Sequence, residues 1–179
     1  AATRLISKKF KEKSLDALFF FGVAGAIDPK LKQGDLVIAS RLVQHDMDAR
    51  PIFNKYVIPP LNIKYLKADT EWINWSSSIL KKANLKEFGT IYTGLVATGD
   101  KFLDQKSEVK KLKADFHDLL GVEMEGASVA QVAIQEKIPW QILRVISDSA
   151  NDSSQKDFEQ FLKIYQQNSA NIVKVFVDN

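Results

Sequence analysis

The sequence predicts an α/β fold: three layers, α/β/α, around a central mixed, largely parallel twisted sheet. Short apolar runs that end in small residues alternate with segments of helical periodicity along the chain. The apolar pair Leu119–Leu120, the small-residue segment 127–134 and the apolar run 140–146 are typical of strand, helix and strand. We expect this unit to be a parallel crossover, with its two strands side by side.

The first half of the chain supplies a helix, two strands and a long loop. Residues 1–13 have the pattern of an amphipathic helix. Residues 16–21 predict a buried strand that runs into the small-residue turn 22–26, and the strand at 36–39 continues towards Val43. Residues 52–60 form an apolar loop that either packs under the domain or meets a partner subunit.

The second half continues the alternation. A helix is predicted from Asp69 or Thr70 to about Ala83, and a strand over residues 90–97. Ser107 is expected to cap a short lysine-rich helix, and a last amphipathic helix follows the polar loop 151–154. There is no internal repeat or linker, so residues 1–179 are interpreted as one domain. The start at Ala1, without a methionine or a signal peptide, predicts that the first strands are absent.

Composition excludes several functional classes. The chain has no cysteine, which excludes disulfides and thiolate zinc sites. Its net charge of +3 is small and its lysines are dispersed, so nucleic-acid binding is not expected. No apolar run approaches the roughly 20 residues of a membrane span. The segment His45–Asp48 could suggest a metal site, but the only other histidine, His117, lies in a polar segment, so we expect no metal and no cofactor.

Two carboxylates, Glu123 and Glu125, fall where a strand ends and a helix begins. One interpretation is that Glu125 caps the helix, because negative charge is favourable at a helix N-terminus. The alternative is a functional site. Asp148 ends the next strand, and ligands of such sheets bind outside the carboxyl ends of the strands. Glu125 and Asp148 would then face one crevice, and paired acids in a crevice are common in catalysis.

Five motifs, taken in order, resemble the nucleoside phosphorylase and hydrolase family, and within it the 5′-methylthioadenosine/S-adenosylhomocysteine nucleosidases. These motifs are Gly22–Ala26 with Gly34–Val37, His45–Asp48, Thr98–Phe102, Val122–Gly126 and Arg144–Asp148. The resemblance implies a cytoplasmic homodimer that hydrolyses the N-glycosidic bond of methylthioadenosine, S-adenosylhomocysteine and 5′-deoxyadenosine in methionine salvage and methyl-cycle recycling. The apolar loop would form the dimer and line the partner's 5′ pocket.

The resemblance also implies the catalytic roles. Asp148, oriented by Ser147, would donate a proton to adenine N7, and Arg144 would help to hold the attacking water. An ordinary aspartate has a pKa near ~3.9, so this role requires burial of the carboxyl group.

Eight residues are implied in substrate binding. Glu125 would accept hydrogen bonds from the ribose hydroxyls and stabilise positive charge on the ring. Met124 would pack on the ribose, Phe102 would stack on adenine, the backbone of Leu103 would contact the purine edge, and Phe158 would cover the 5′ substituent. The remaining substrate-binding residues that the motifs imply are Glu123, Ala24 and Gly25.

Two departures keep other functions open. The family's water-activating glutamate belongs to a strand before Ala1, and Val23 stands where nucleosidases often have a small hydroxyl residue. A phosphorylase is the alternative enzyme, although Phe20 and Phe21 occupy the place where phosphorylases usually carry a phosphate-binding arginine. A non-catalytic protein that binds polyanions is the alternative outside catalysis. The preferred 5′ substituent is left open by the sequence.

Overall fold

The computed structural model describes residues 15–83, 85–149 and 154–179. The helix predicted over residues 1–13 lies outside these ranges, as does most of the polar loop before the last helix. The strands are β1 (Leu18–Ala26), β2 (Leu36–Gln44), β3 (Tyr65–Lys67), β4 (Ile91–Thr98), β5 (Leu119–Glu123) and β6 (Trp140–Asp148). The helices are α1 (Thr70–Lys82), α2 (Lys106–Asp115), α3 (Gly126–Gln135) and α4 (Ser154–Val177).

The six strands form one mixed sheet in the order β3-β2-β4-β5-β1-β6. The pairs β1–β6, β2–β4 and β4–β5 are parallel, whereas β1–β5, β2–β3 and β2–β6 are antiparallel. The additional β2–β6 pairing closes five of the strands into a ring. The predicted α/β fold with a mixed sheet is confirmed, and the closure is a feature that periodicity alone does not reveal.

The expected parallel crossover between β5 and β6 is wrong. Strand β1 lies between them, parallel to β6 and antiparallel to β5, so β5 and β6 run in opposite directions. The prediction failed because it took neighbours in sequence to be neighbours in the sheet. Strand β1 is also longer than predicted: the small residues 22–26 continue the ladder with β6 instead of turning away.

Helices cover both faces of the sheet because side chains alternate along each strand. Val37 and Ala39 of β2 pack in one apolar cluster with three alanines of α3, namely Ala127, Ala130 and Ala133. Leu36 and Ile38 point the other way, into a cluster with residues of α1 and α4, namely Leu80, Phe161 and Ile172. A third cluster joins residues of β4 and β5 to Leu112 of α2; the strand residues are Leu95, Ala97, Leu119 and Val122. This arrangement is the layered architecture that the sequence predicts.

Helix α1 begins as predicted, because the Asp69 carboxylate accepts hydrogen bonds from the backbone N–H groups of Glu71 and Trp72. Helix α2 differs from the prediction: it begins at Lys106, after Gln105, and Ser107 is inside its first turn rather than at its cap. None of the described helices is both long and apolar enough to cross a bilayer.

The apolar loop after β2 divides into a buried and an exposed part. Tyr56 and Ile58 are buried in the apolar clusters, and Ile58 pairs with Ile63 in a short β-bridge. Ile52, by contrast, is 83% exposed. The loop therefore fits both interpretations in different places. The part with Tyr56 and Ile58 packs under the domain, and the part with Ile52 faces solvent in the single chain.

Candidate active site

The ends of β1, β5 and β6 converge on a cavity of about 310 Å³. The segment after β4 and one residue of α4 complete its wall. The lining consists of Val23, Ala24, Gly25, Lys101, Phe102, Leu103, Val122, Glu123, Met124, Glu125, Ser147, Asp148 and Phe158. Every site residue predicted from the sequence is in this lining except Arg144. Residues that lie more than 130 positions apart in the chain, such as Val23 and Phe158, therefore meet in one site.

Glu123 and Arg144 form a buried ion pair at the base of this cavity. Arg144 Nη2 lies 2.6 Å from Glu123 Oε2, and Nε lies 3.2 Å from the same oxygen. Both side chains are only 1% exposed. A buried charge is tolerated when it is paired and hydrogen-bonded, so each of these two groups depends on the other.

Glu123 also takes the helix-capping role that the sequence offered to Glu125. Its Oε2 accepts hydrogen bonds from the backbone N–H groups of Gly126, at 2.7 Å, and Glu125, at 3.2 Å. Its Oε1 accepts a hydrogen bond from the hydroxyl of Thr98, and the same hydroxyl accepts the N–H of Ala127 at 2.9 Å. The carboxylate therefore accepts hydrogen bonds from backbone N–H groups that have no partner within α3. Its negative charge also complements the positive end of the α3 dipole.

Arg144 lies behind the cavity wall and not in it. Its guanidinium contacts Glu123, donates through Nη1 to the backbone carbonyl of Phe20 at 3.3 Å, and lies 4.5 Å from the centre of the Phe20 ring. A Cβ on Gly22 would lie 3.0 Å from Nη1, so glycine leaves room for the guanidinium there. The role of Arg144 as a holder of the attacking water stays a prediction, and its guanidinium contacts Glu123 and Phe20. The residue positions Glu123.

Glu125 is exposed to the cavity because Glu123 has taken over the capping of α3. The Glu125 side chain makes no capping hydrogen bond, and the residue is exposed and lines the cavity. The adjacent Met124 is 38% exposed, which is unusual for a large apolar side chain. A carboxylate next to an exposed apolar surface suits a ligand that carries hydroxyl groups on an apolar frame.

Asp148 and Ser147 line the cavity at the end of β6. The Ser147 hydroxyl lies 2.7 Å from Asp148 Oδ2, and 3.3 Å from the backbone carbonyl oxygen of Ala24 in β1. Both residues are buried, with exposures of 1% for Ser147 and 4% for Asp148. The ladder between Gly25 and Asp148 fixes the backbone on which the carboxyl group stands. The serine therefore ties the orientation of the carboxyl group to β1.

Two aromatic rings bound the cavity on the solvent side. The ring centroids of Phe102 and Phe158 lie 6.1 Å apart, with an interplanar angle of 69°. Phe102 is 40% exposed, whereas Leu103 is buried. Lys101 also lines the site, and its Nζ lies 2.5 Å from Glu108 Oε1 of α2. Sequence reasoning did not assign functions to Lys101 or Thr98, although both belong to the Thr98–Phe102 motif.

The site combines two buried acids, Glu123 and Asp148, with the exposed acid Glu125 and two aromatic rings. This arrangement fits a ligand with an aromatic part against Phe102 and a hydroxylated part against Glu125. Across the described residues no group of three or more acidic, histidine or cysteine side chains has the geometry of a metal site. His45 and Asp46, the residues that could suggest a metal, lie outside the lining of this cavity.

Comparison with known proteins agrees with this geometry. The family described as "Phosphorylase superfamily" matches residues 1–178. The chain belongs to this superfamily. Among superfamily members, it is 37% identical over 157 residues to the aminodeoxyfutalosine nucleosidase of Campylobacter jejuni, covering 88% of this chain and 66% of the relative. It is also 37% identical over 153 residues to the 5′-methylthioadenosine/S-adenosylhomocysteine nucleosidase of Geobacillus kaustophilus, covering 85% and 63%.

A solved superfamily structure has the same fold over nearly the whole chain. It is the S-adenosylhomocysteine nucleosidase of Streptococcus pyogenes in complex with 5-methylthiotubericidin, with a TM-score of 0.85 and 30% identity. The alignment covers 99% of this chain and 74% of that one. The chain spans 66% and 63% of the two curated relatives named above, so it corresponds to about two thirds of their length.

Proposed function

We propose that the protein is a nucleosidase that hydrolyses the N-glycosidic bond of 5′-methylthioadenosine, S-adenosylhomocysteine and 5′-deoxyadenosine, releasing adenine and the 5′-substituted ribose. The observation that carries the proposal is the pairing of buried Asp148 with exposed Glu125 across one cavity that Phe102 bounds. The nucleosidase relatives support it.

Asp148 acts on the base in this proposal. Adenine is a poor leaving group until it is protonated, so cleavage requires an acid near N7 of the purine. A desolvated carboxyl group keeps its proton more readily than a solvated one, and Asp148 is 4% exposed. The Ser147 hydroxyl at 2.7 Å fixes the direction of the carboxyl group. Protonation of N7 draws electrons out of the breaking C–N bond, and neutral adenine leaves.

Glu125 acts on the sugar. As the bond to adenine breaks, positive charge grows on the ribose ring oxygen and C1′, and an adjacent carboxylate stabilises that charge. The hydroxyls at C2′ and C3′ are natural donors to Glu125, and Met124 offers an apolar surface to the ring. Glu123 is unsuited to this contact because its oxygens already accept bonds from Arg144, Thr98 and Gly126.

Water is the nucleophile that the observations favour. Lys101 is the one basic side chain among the described lining residues, and it pairs with Glu108, so the described site offers no arginine to hold phosphate. The relatives are named as nucleosidases, and they do not favour the phosphorylase or the polyanion-binding alternative. By resemblance, a glutamate on the N-terminal strand of the family would activate the water.

We propose further that the protein is a homodimer through the exposed part of the apolar loop. Ile52 is 83% exposed, and burial of this side chain against a second copy of the chain would be favourable. Sedimentation at micromolar concentration should give a dimeric mass for the full-length protein, and Ile52→Asp should shift it towards the monomer. A wild-type monomer would contradict the proposal.

By resemblance we also propose a cytoplasmic location, which cell fractionation tests.

Activity is tested with the full-length protein in phosphate-free buffer. Adenine release from 5′-methylthioadenosine is expected, and Asp148→Asn should lower kcat by about 10²–10⁴-fold, the usual contribution of a general acid. Asp118→Asn, a change of an exposed carboxylate to the same amide, should leave kcat unchanged. Adenine release only after phosphate is added would show a phosphorylase instead. A comparison of kcat/KM for aminodeoxyfutalosine and S-adenosylhomocysteine would show which 5′ substituent the enzyme prefers.

A further inference from the structure

The segment that carries Phe102 and Leu103 is held from outside the cavity by the first residues after β2. We infer that Asp46, supported by His45, is a positioning residue for this segment and thereby for the base-binding wall of the site. The inference rests on the proposed function, because it assigns to these residues an effect on the affinity for adenine. Neither residue lines the cavity itself.

The contact begins as a continuation of the sheet. The parallel ladder between β2 and β4 ends at the pair Gln44 and Thr98. Beyond it, the backbone N–H of His45 donates to the carbonyl of Thr98 at 2.9 Å. The next residue supplies a side chain: Asp46 Oδ2 accepts the backbone N–H of Asp100 at 2.8 Å. The contacts between the β2 segment and the β4 segment therefore continue to Asp100, two residues past the end of β4.

The same segment is held on its other side by β5. The backbone N–H of Gly99 donates to the carbonyl of Glu123 at 3.1 Å. Gly99 and Asp100 are thus fixed between a carbonyl of β5 and a carboxylate that follows β2. Only Lys101 separates Asp100 from Phe102, so a shift at Asp100 passes directly to the two residues that bound the cavity.

The His45 ring lies against Gly99, in the space that a Cβ at this position would occupy. A Cβ built at Gly99 would lie 2.2 Å from His45 Nε2 and 2.6 Å from Cε1, so no side chain fits between them. His45 Nε2 is buried without a hydrogen-bond partner among the described residues. Burial lowers the pKa of His45, and the nearby Asp46 carboxylate opposes the shift in part. A neutral ring in this place acts as a packing surface.

The loop that presents Asp46 is itself anchored in the core. The backbone N–H of Tyr56 donates to the carbonyl of Met47 at 2.9 Å, and the Tyr56 hydroxyl donates to Asp115 at the end of α2. Tyr56 is 6% exposed and its ring lies 4.9 Å from that of Phe116. A fixed loop allows one hydrogen bond to transmit position, since Asp46 cannot follow the segment if the segment moves.

The test compares Asp46→Ala with Asp48→Ala in the full-length protein. Asp48 is the matched control, because it is an aspartate of the same loop whose described hydrogen bonds go to Arg50. Asp46→Ala should raise the adenine dissociation constant, and the KM for 5′-methylthioadenosine, roughly three- to tenfold, the range that one hydrogen bond controls. It should change kcat less than KM. Asp46→Asn keeps an oxygen acceptor and should restore most of the affinity, and Asp48→Ala should match the wild type.

Equal adenine affinity in Asp46→Ala and the wild type would overturn the inference, as would an equal loss in Asp48→Ala. A wild-type protein that does not bind adenine would instead overturn the proposed function. If Asp46→Ala does not fold, a second pair of variants decides. Gly99→Ala should weaken adenine binding by displacing the segment, and His45→Ala added to it should recover affinity by making room for the new methyl group. Failure of that recovery would also overturn the inference.

Discussion

Replacement of Arg144 by methionine tests whether the buried ion pair holds the site together. The change removes the guanidinium while keeping an unbranched side chain. It leaves the Glu123 carboxylate, 1% exposed, with hydrogen bonds from Thr98 and Gly126 but without its counter-charge. Breaking one side of a buried ion pair costs about 3–5 kcal/mol of unfolding free energy. With a urea slope of about 2 kcal/mol per M, the unfolding midpoint should fall by about 1.5–2.5 M.

The reciprocal change and the double variant isolate the interaction. Glu123→Gln leaves the Arg144 side chain, 1% exposed, without an anion, so the loss of unfolding free energy should be similar. In the double variant neither charge remains, and its cost should be smaller than the sum of the two single costs by about 1–3 kcal/mol. Arg41→Met is the control, because Arg41 pairs with Asp118 at the surface, where side chains are 32% and 63% exposed. An exposed pair contributes about 0–1 kcal/mol.

Urea unfolding of the full-length protein, followed by tryptophan fluorescence, measures all four variants. The reasoning would be refuted if Arg144→Met cost no more than Arg41→Met. It would also be refuted if the two single costs simply added in the double variant, because the pair would then carry no coupling energy. Adenine affinity measured on the same variants shows whether loss of the pair also disorders the start of α3 and, with it, Glu125.

Three further predictions concern single residues. Gly94→Ala should cost about 1–3 kcal/mol and lower the urea midpoint, because its Cβ would lie 2.6 Å from Leu120 Cδ1; an unchanged midpoint would contradict this packing. Burial lowers the pKa of His45 in the folded state below its ordinary value of 6.5, so the folded protein favours the neutral ring. The neutral ring therefore contributes its full share of stability above about pH 6.5, and this share is lost as the pH falls below that value. His45→Gln should therefore show a smaller drop in Tm between pH 7.5 and 5.5, and an unchanged drop would refute this. Glu125→Gln should lower kcat/KM about a hundredfold, the scale of removing one preorganised electrostatic group, with Tm unchanged; full activity would exclude Glu125 from the sugar site.

Much of the local structure could be predicted from short stretches of sequence. The strands at 36–43 and 140–148 were predicted because β-branched and apolar runs between turn residues leave few alternatives. Helix α1 was predicted to begin at Asp69 or Thr70, and the structure makes Asp69 its cap. The motifs that contain Phe102, Glu125 and Asp148 also pointed to one site. Strand β3 was missed because three residues, Tyr65–Lys67, are too short to show a period of two.

The tertiary structure decided which strands pair and which of two acids faces the ligand. Only pairing across the sheet places β1 between β5 and β6 and closes the ring. These pairings join residues that are far apart in the chain, such as Gly25 with Val122 and Leu36 with Val145. Likewise, Glu123 and Glu125 are equivalent in the sequence until Arg144 neutralises one of them. The sequence by itself determined the elements and the residue types of the site, since both depend on nearby residues. Which charges are buried depends on partners that only the fold brings together.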